Sequence, residues 1–508
     1  MRVIYITHGS RGDVVPHAAL ARGLVVEGGH TVRMVVPEEY APLIPNELQL
    51  IPHPLSLTEF MRYAEMHGAQ PGICAPEEIE PLYGEYLYDA DRLAKMMASL
   101  ERPLHDWADV VIASCGQMLW LSMTLAQLYG TGLVIAAVQE IIPTSASFGA
   151  PSPPPAFLNL VLHRHVMRHV VQPAAHRAVL NEWRVQRGMR AMPDPWEHAH
   201  VFNPPALIGL SPLVFPPPPD YSRYDCEVVG TWIGPEEVPA AASALLPAEV
   251  EDFLRAGDPP VYIGWGSMPY GDRLTEVAVR AAQLAGKRAI LLRGTHQLAH
   301  AHVRLELLDS STSDARALRE WAARNILVVD DVSHAALFPR VACIVHHGGS
   351  GTTAAALRSG VPSFAMPFGM DQFAFARASA ARGVGPVTVL PALQWTAAAL
   401  ADALSEATGR PAYTAAATAL RRALLAEPSG ITRAVRAFER MGRRRPYAEA
   451  AAREHAYVVA PPYRWWWPLA TLVFTPPRSW LPRASAVAAL GGAAVFLFAR
   501  LAVRYRVP

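Results

Sequence analysis

Short apolar runs alternate with longer stretches of helical spacing through most of this chain. Val3 to Thr7 is apolar and β-rich and reads as a strand. The polar turn His8-Gly9-Ser10-Arg11-Gly12-Asp13 follows it. Val14 to Glu27 then shows helical spacing, with Pro16 tolerated in the first turn. Gly28-Gly29-His30 stops that helix, and Thr31 to Val36 supplies a second strand. This is the βαβ opening of a parallel sheet, an architecture that binds ligands at the carboxyl ends of its strands. Ala108 to Ser114 and Gly132 to Val138 read as further strands flanking an apolar helix, Gly116 to Tyr129. A second series repeats the alternation. Pro260 to Trp265, Arg288 to Leu292, Asn325 to Asp330 and Val341 to Val345 read as buried strands, and another begins at Gly360-Val361-Pro362. Helical spacing covers Leu274 to Ala285, Thr396 to Thr408, Tyr413 to Ala426 and Gly430 to Met441, and Ala354 to Leu357 reads as the first turn of another helix. Between the two series, Phe215-Pro216-Pro217-Pro218-Pro219-Asp220 reads as a stiff, extended linker.

Two of the turns carry candidate chemistry. His346-His347-Gly348-Gly349-Ser350-Gly351-Thr352-Thr353 joins a strand to a helix. Unpaired backbone N–H groups and the helix dipole make such a junction an anion site. It lacks the Gly-Lys-Ser/Thr ending of an ATPase P-loop, and its spacing is not the Gly-x-Gly-x-x-Gly of a nicotinamide site. In the first turn, Asp13 has two readings: a carboxylate that takes a proton from a hydroxyl, or a helix cap. His8 and His17 lie nearby and read as surface or packing residues. Asp89-Ala90-Asp91 superficially matches an Asp-x-Asp metal motif but falls in a helical run, Pro81 to Leu100, and reads as a solvated face. His165 and His169 have the i,i+4 spacing of a metal pair without an evident third ligand, so no metal is expected.

The run from His346-His347-Gly348-Gly349 through Gly360-Val361-Pro362 to Pro367 and Asp371-Gln372 resembles the donor-sugar signature of the family-one glycosyltransferases. The sterol, macrolide and glycopeptide branch is the most similar, and Gly9-Ser10-Arg11-Gly12-Asp13-Val14-Val15-Pro16 resembles its opening motif. The resemblance implies an α/β, GT-B fold of two Rossmann-like domains facing across a cleft. Residues 1–215 would bind the acceptor, 216–240 would link, 241–455 would bind the nucleotide sugar, and 456–508 would be a tail. The family's last helix crosses back to the first domain. The resemblance also implies roles. Asp13 would be the general base in a turn shaped by Ser10, Arg11 and Gly12. Gly266 and Ser267 would reach the donor diphosphate, as would His346, Gly348, Gly349, Ser350, Gly351 and Thr352. Arg293, Val332 and His334 would also line the donor site, with backbone near Val332 reading a pyrimidine edge. Asp371 and Gln372 would hydrogen-bond the sugar hydroxyls, while Met118, Trp120 and Phe148 could line an acceptor pocket or simply be core. Many relatives have Gly-Trp where this chain has Gly294-Thr295, so an aromatic base-stacking role at 295 is unfilled. No cofactor is expected beyond the nucleotide-sugar co-substrate.

Composition and charge add to the picture. A net charge of +1 over 508 residues leaves no nucleic-acid footprint, and nucleic acid is not an expected partner. Cys74, Cys115, Cys226 and Cys343 have no paired spacing and read as reduced thiols of a cytosolic protein. Met1 to Ile6 is too short an apolar run for a signal peptide. After Glu454 there is no acidic residue, and Tyr463-Arg464-Trp465-Trp466-Trp467 opens an aromatic, basic segment. Ala484 to Ala499 is apolar and continues past Arg500; a spanning helix needs ~20 such residues. Trp and Arg at its margins suit an anionic membrane surface. The expectation is a cytoplasmic enzyme held at the cytoplasmic membrane face, lying in one leaflet or spanning. It would move a sugar from a UDP- or dTDP-linked donor, with inversion, to a hydroxyl of a hydrophobic, lipid-like acceptor such as a sterol, hopanoid, carotenoid, glycolipid or polyketide. The alternatives are a nucleotide-sugar epimerase and a membrane-anchored nucleotide-sugar-binding protein without catalysis.

Overall fold

The computed structural model describes residues 1–444 except 57–58, 61–62, 64–65, 68–89, 106, 115–117, 141, 143–173, 193–203, 235–245, 267, 269–270, 294–312 and 370. Arg2–Ile6 (β1), Thr31–Pro37 (β2), Gln49–His53 (β3), Val110–Ser114 (β4), Gly132–Ala137 (β5), Ala206–Ile208 (β6) and Cys226–Val228 (β7) form one sheet, in the order β3-β2-β1-β4-β5-β6-β7. Val261–Gly264 (β8), Ala289–Leu292 (β9), Ile326–Val329 (β10), Cys343–His346 (β11) and Ser363–Ala365 (β12) form a second, in the order β10-β9-β8-β11-β12. All neighbouring strands are parallel. Their central strands are apolar throughout because helices cover both faces; β4, β5, β8 and β11 are buried along their length.

The strand orders matter for function. The first sheet reverses direction of growth between β1 and β4, the second between β8 and β11. Such switch points leave a crevice at the carboxyl ends of the strands. The Asp13 turn follows β1 and the His346 turn ends β11, so both candidate turns open at a switch point.

Four helices build the site and its support: α1 (Arg11–Val26), α2 (Ser350–Ser359), α3 (Gln372–Ala380) and α4 (Gly430–Met441). Helix α1 starts at Arg11, ahead of the spacing signal at Val14, because Ser10 is extended and caps it. Helix α2 likewise starts at Ser350 rather than near Ala354. The carbonyl of Gly349 accepts the Thr353 N–H at 2.9 Å and the Thr353 hydroxyl at 2.8 Å, which closes the first turn over residues with poor helix propensity. Gly360 ends α2 in the left-handed region (φ +76), which delays β12 to Ser363.

Part of the stretch expected as linker is built into the first sheet. Pro219–Arg223 forms a single 3-10 turn, and Cys226–Val228 pairs with β6 as the edge strand. Its backbone finds partners there, Ala206 N–H to Asp225 and Val229 N–H to Ile208, which a proline-rich run alone does not foretell. Helix α4 packs back onto the first sheet, where Ala434, Val435, Ala437, Phe438 and Met441 join the core of Leu20, Leu24 and Val32. Gly23 makes room for Ile431, and Arg440 holds Glu227 with bonds of 2.7 and 2.8 Å. Residues Met1–Glu449 form one compact unit holding both sheets. Among the described residues no helix is long and apolar enough to cross a membrane. Phe148, Asp89, His165, His169, Ser267 and the Trp/Arg-rich tail lie outside the described residues.

Candidate active site

Asp13 occupies the third position of α1 and faces back over its own turn. Its Oδ2 accepts the Ser10 N–H at 2.8 Å and the Ser10 hydroxyl at 3.0 Å. Gly9, at φ +129, is required on two counts: the backbone conformation, and a Cβ that would lie 2.7 Å from Asp13 Cγ. The capping reading of Asp13 therefore holds, and the same two bonds fix where its carboxylate stands. Burial pushes its pKa up, and the two bonds from Ser10 oppose that. His17, the nearby alternative, is a packing residue: it is buried, bonded to Tyr5 at 2.7 Å and set edge-on to Trp232. Burial lowers it to about 3. His8 is buried beside His53.

The second half supplies the matching face. Gly348 (φ +88) turns the chain after β11, and Gly349 caps α2 without a side-chain bond. No acidic residue lies in the first turn of α2, so none of the turn's own side chains offsets the positive end of its dipole. His346 is buried and its Nδ1 accepts the Gly348 N–H at 3.0 Å, which fixes the ring. Burial holds it down to about 3, so it is a neutral imidazole. Gly351 and Thr352 form the half-exposed first turn of α2. Ser350 instead reaches across the molecule, its hydroxyl donating to the Val138 carbonyl at 3.0 Å, just past the end of β5. Arg11 makes another crossing, an exposed ion pair of 3.4 Å with Asp331; Gly12 beside it is exposed.

Asp371 stands at the start of α3, facing the same crevice. Burial pushes it up to about 7, and the Asp13 charge adds to the rise. The two carboxylates thus come from opposite halves and feel one another. Burial raises both carboxyl groups, and neighbouring acids of this kind favour the protonated form of one of them. Gln372 braces the same turn. Its Oε1 accepts the Phe368 and Gly369 N–H groups at 2.8 and 3.3 Å, and its amide nitrogen meets Met268 Sδ at 3.4 Å. It shapes the turn carrying Asp371.

The remaining expected donor residues gather at the carboxyl end of the second sheet. Gly266 turns the chain after β8 at φ +61. Arg293 follows β9 and is engaged by Asp330. The Val332 N–H is taken by the Asp331 carboxylate at 3.0 Å, which removes it as a free donor. His334 stacks on Phe338 at 4.3 Å and shares a 3.1 Å hydrogen bond with the Tyr262 hydroxyl. Met118 and Trp120 are a correction: both are buried in the core under the first sheet, so their apolar spacing signals packing and not a pocket. Sequence reasoning gave no separate role to Asp331, Tyr262 and His347, which meet Arg11, His334 and Gly266 from distant parts of the chain. Among the described residues no three His, Cys, Asp or Glu side chains are grouped to hold a metal ion.

Comparison with known proteins adds to this geometry. Residues 300–439 match the family model of the erythromycin biosynthesis protein CIII-like C-terminal domain. Glycosyltransferase GtfE of Amycolatopsis orientalis is 30% identical over 438 residues, covering 83% of this chain and 94% of that protein. A sterol 3-beta-glucosyltransferase of Saccharomyces cerevisiae is 29% identical over 432 residues, covering 79% of this chain but only 32% of that protein. The crystal structure of the glycotransferase of kitacinnamycin superposes with a TM-score of 0.58 at 20% identity, covering 87% of this chain and 98% of that one.

Proposed function

Because the chain belongs to the family-one glycosyltransferases, we propose that it moves a sugar from a UDP- or dTDP-linked donor to a hydroxyl of a hydrophobic, lipid-like acceptor, with inversion. The observation that carries this reading is the convergence of Asp13 and Asp371 from opposite halves beside the open start of α2. Asp13 takes the acceptor hydroxyl proton. The acceptor oxygen forms its bond to the anomeric carbon as the bond to the diphosphate oxygen breaks, and the nucleoside diphosphate leaves with that electron pair. One displacement inverts the centre. The charge that grows on the leaving diphosphate is met by the N–H groups of Gly349 to Thr352, by the α2 dipole and by the neutral imidazole of His346. Asp371, protonated, donates a hydrogen bond to a sugar hydroxyl. These groups supply the charge stabilisation without a metal.

A hydrophobic acceptor is supported by the likeness to sterol 3-beta-glucosyltransferases and by the Trp/Arg-rich tail, which would hold the enzyme at an anionic membrane surface. The test is mass spectrometry of lipid extracts incubated with the purified chain and a panel of nucleotide sugars. A hexose or deoxyhexose mass gain on one lipid, lost in Asp13→Asn, supports the reading. No gain with any donor, despite nucleotide-sugar binding, contradicts it.

A further inference from the structure

The two adjacent histidines at the end of β11 do different things. His346 is used locally, bonded to the Gly348 N–H. The His347 ring lies where two glycine turns meet. A Cβ on Gly266 would lie 2.6 Å from His347 Cε1 and 3.0 Å from Nδ1, and a Cβ on Gly349 would overlap Nε2. Gly349 has φ −67 and ψ 150, a conformation any residue adopts, so the imidazole alone demands glycine there. His347 is nine-tenths buried, and its Nδ1 has no hydrogen-bond partner among the described residues. Burial pushes it down to about 4, so the ring is uncharged at neutral pH and sits between two backbone segments without a counterion.

The ring therefore acts as a spacer between the turn after β8 and the start of α2. We propose that His347 is a positioning residue for donor binding: its imidazole sets the distance between the Gly266 turn and the Gly349–Thr352 helix start, so that both meet one diphosphate. This rests on the donor site described above. It also explains why position 349, whose backbone any residue could adopt, is a glycine beside this histidine.

The consequence is selective for phosphate. Binding of UDP, dTDP, uridine and thymidine would be measured by calorimetry for the parent chain, His347→Ala, Gly349→Ala and the double variant. His347→Ala is expected to weaken binding of the preferred diphosphate about tenfold or more while leaving its nucleoside unchanged, since displaced phosphate contacts are costly. Gly349→Ala should weaken it comparably, because its Cβ meets the ring. In the His347→Ala background the same change should cost little more, because the clash is gone. Should His347→Ala fail to fold, Gly349→Ala alone decides, its backbone being compatible with alanine. Diphosphate affinity unaltered in either single variant, or losses that simply add in the double variant, would overturn the assignment. A parent chain that binds no nucleoside diphosphate would instead remove the donor site itself, and this inference with it.

Discussion

The molecule contains the same device twice, used in opposite ways. After β1 and after β11, a strand enters a glycine turn and a helix follows, each at a switch point of its sheet. Gly9 and Gly348 both take positive φ, +129 and +88. At the first turn the chain fills the helix start itself: Asp13 lies in the first turn of α1, tied to Ser10. At the second the helix start is left open, with a glycine cap and no acidic residue. A helix start that already holds a carboxylate has little to offer a phosphate, but it holds that carboxylate rigidly, as a base requires. An open one leaves its N–H groups and dipole to an anion. In the proposed mechanism, this difference of a few residues divides the labour between proton removal and donor binding.

The comparison can be broken from either side. The largest expected effect is that of Asp13→Asn, which removes the base: turnover should fall by about 10²–10⁴-fold in a single-turnover assay, with donor affinity unchanged. Next comes Ser350→Asp, which makes the second turn resemble the first. A carboxylate at the start of α2 should repel the diphosphate and raise the donor KM by about 10²-fold, whereas Ser350→Ala, which removes only the bond to Val138, should change it far less.

A smaller effect concerns Asp371. Its raised pKa means that the folded protein holds a proton between its unfolded value near 4 and about 7, where the unfolded chain has lost it. Stability should therefore fall as pH rises through that window. Asp371→Asn should remove this slope and stabilise the protein at pH 8 by about 1 kcal/mol, a modest figure because the residue is only partly buried. Thermal melts from pH 5 to pH 8 measure it. The smallest effect is that of Arg11→Ala. The pair with Asp331 is exposed on both sides, and its loss should cost less than about 1 kcal/mol in stability.

Much of this was legible beforehand because strand–turn–helix units are local. The apolar runs located β1, β2, β4, β5 and the strands of the second sheet to within a few residues, and glycine spacing exposed both turns. Helix starts were placed late where polar and glycine residues form the first turn, since capping geometry and not apolar spacing decides them, as at Arg11 and Ser350. The edge strand Cys226–Val228 was hidden because it is short, flanked by charges and stabilised by pairing on one side. Contacts between halves left no periodic trace. The Ser350–Val138 bond, the mutual influence of Asp13 and Asp371, and the wedge of His347 between Gly266 and Gly349 exist only once the sheets are placed together. Gln372 shows the converse: a motif position was recognised, but its amide serves the turn.

The division of labour is tested most directly by titrating one nucleoside diphosphate, UDP or dTDP, into Asp13→Asn and Ser350→Asp side by side. The account predicts that Asp13→Asn binds it as the parent chain does and that Ser350→Asp binds it about 10²-fold more weakly. Equal affinities in the two variants, or a loss confined to Asp13→Asn, would contradict it.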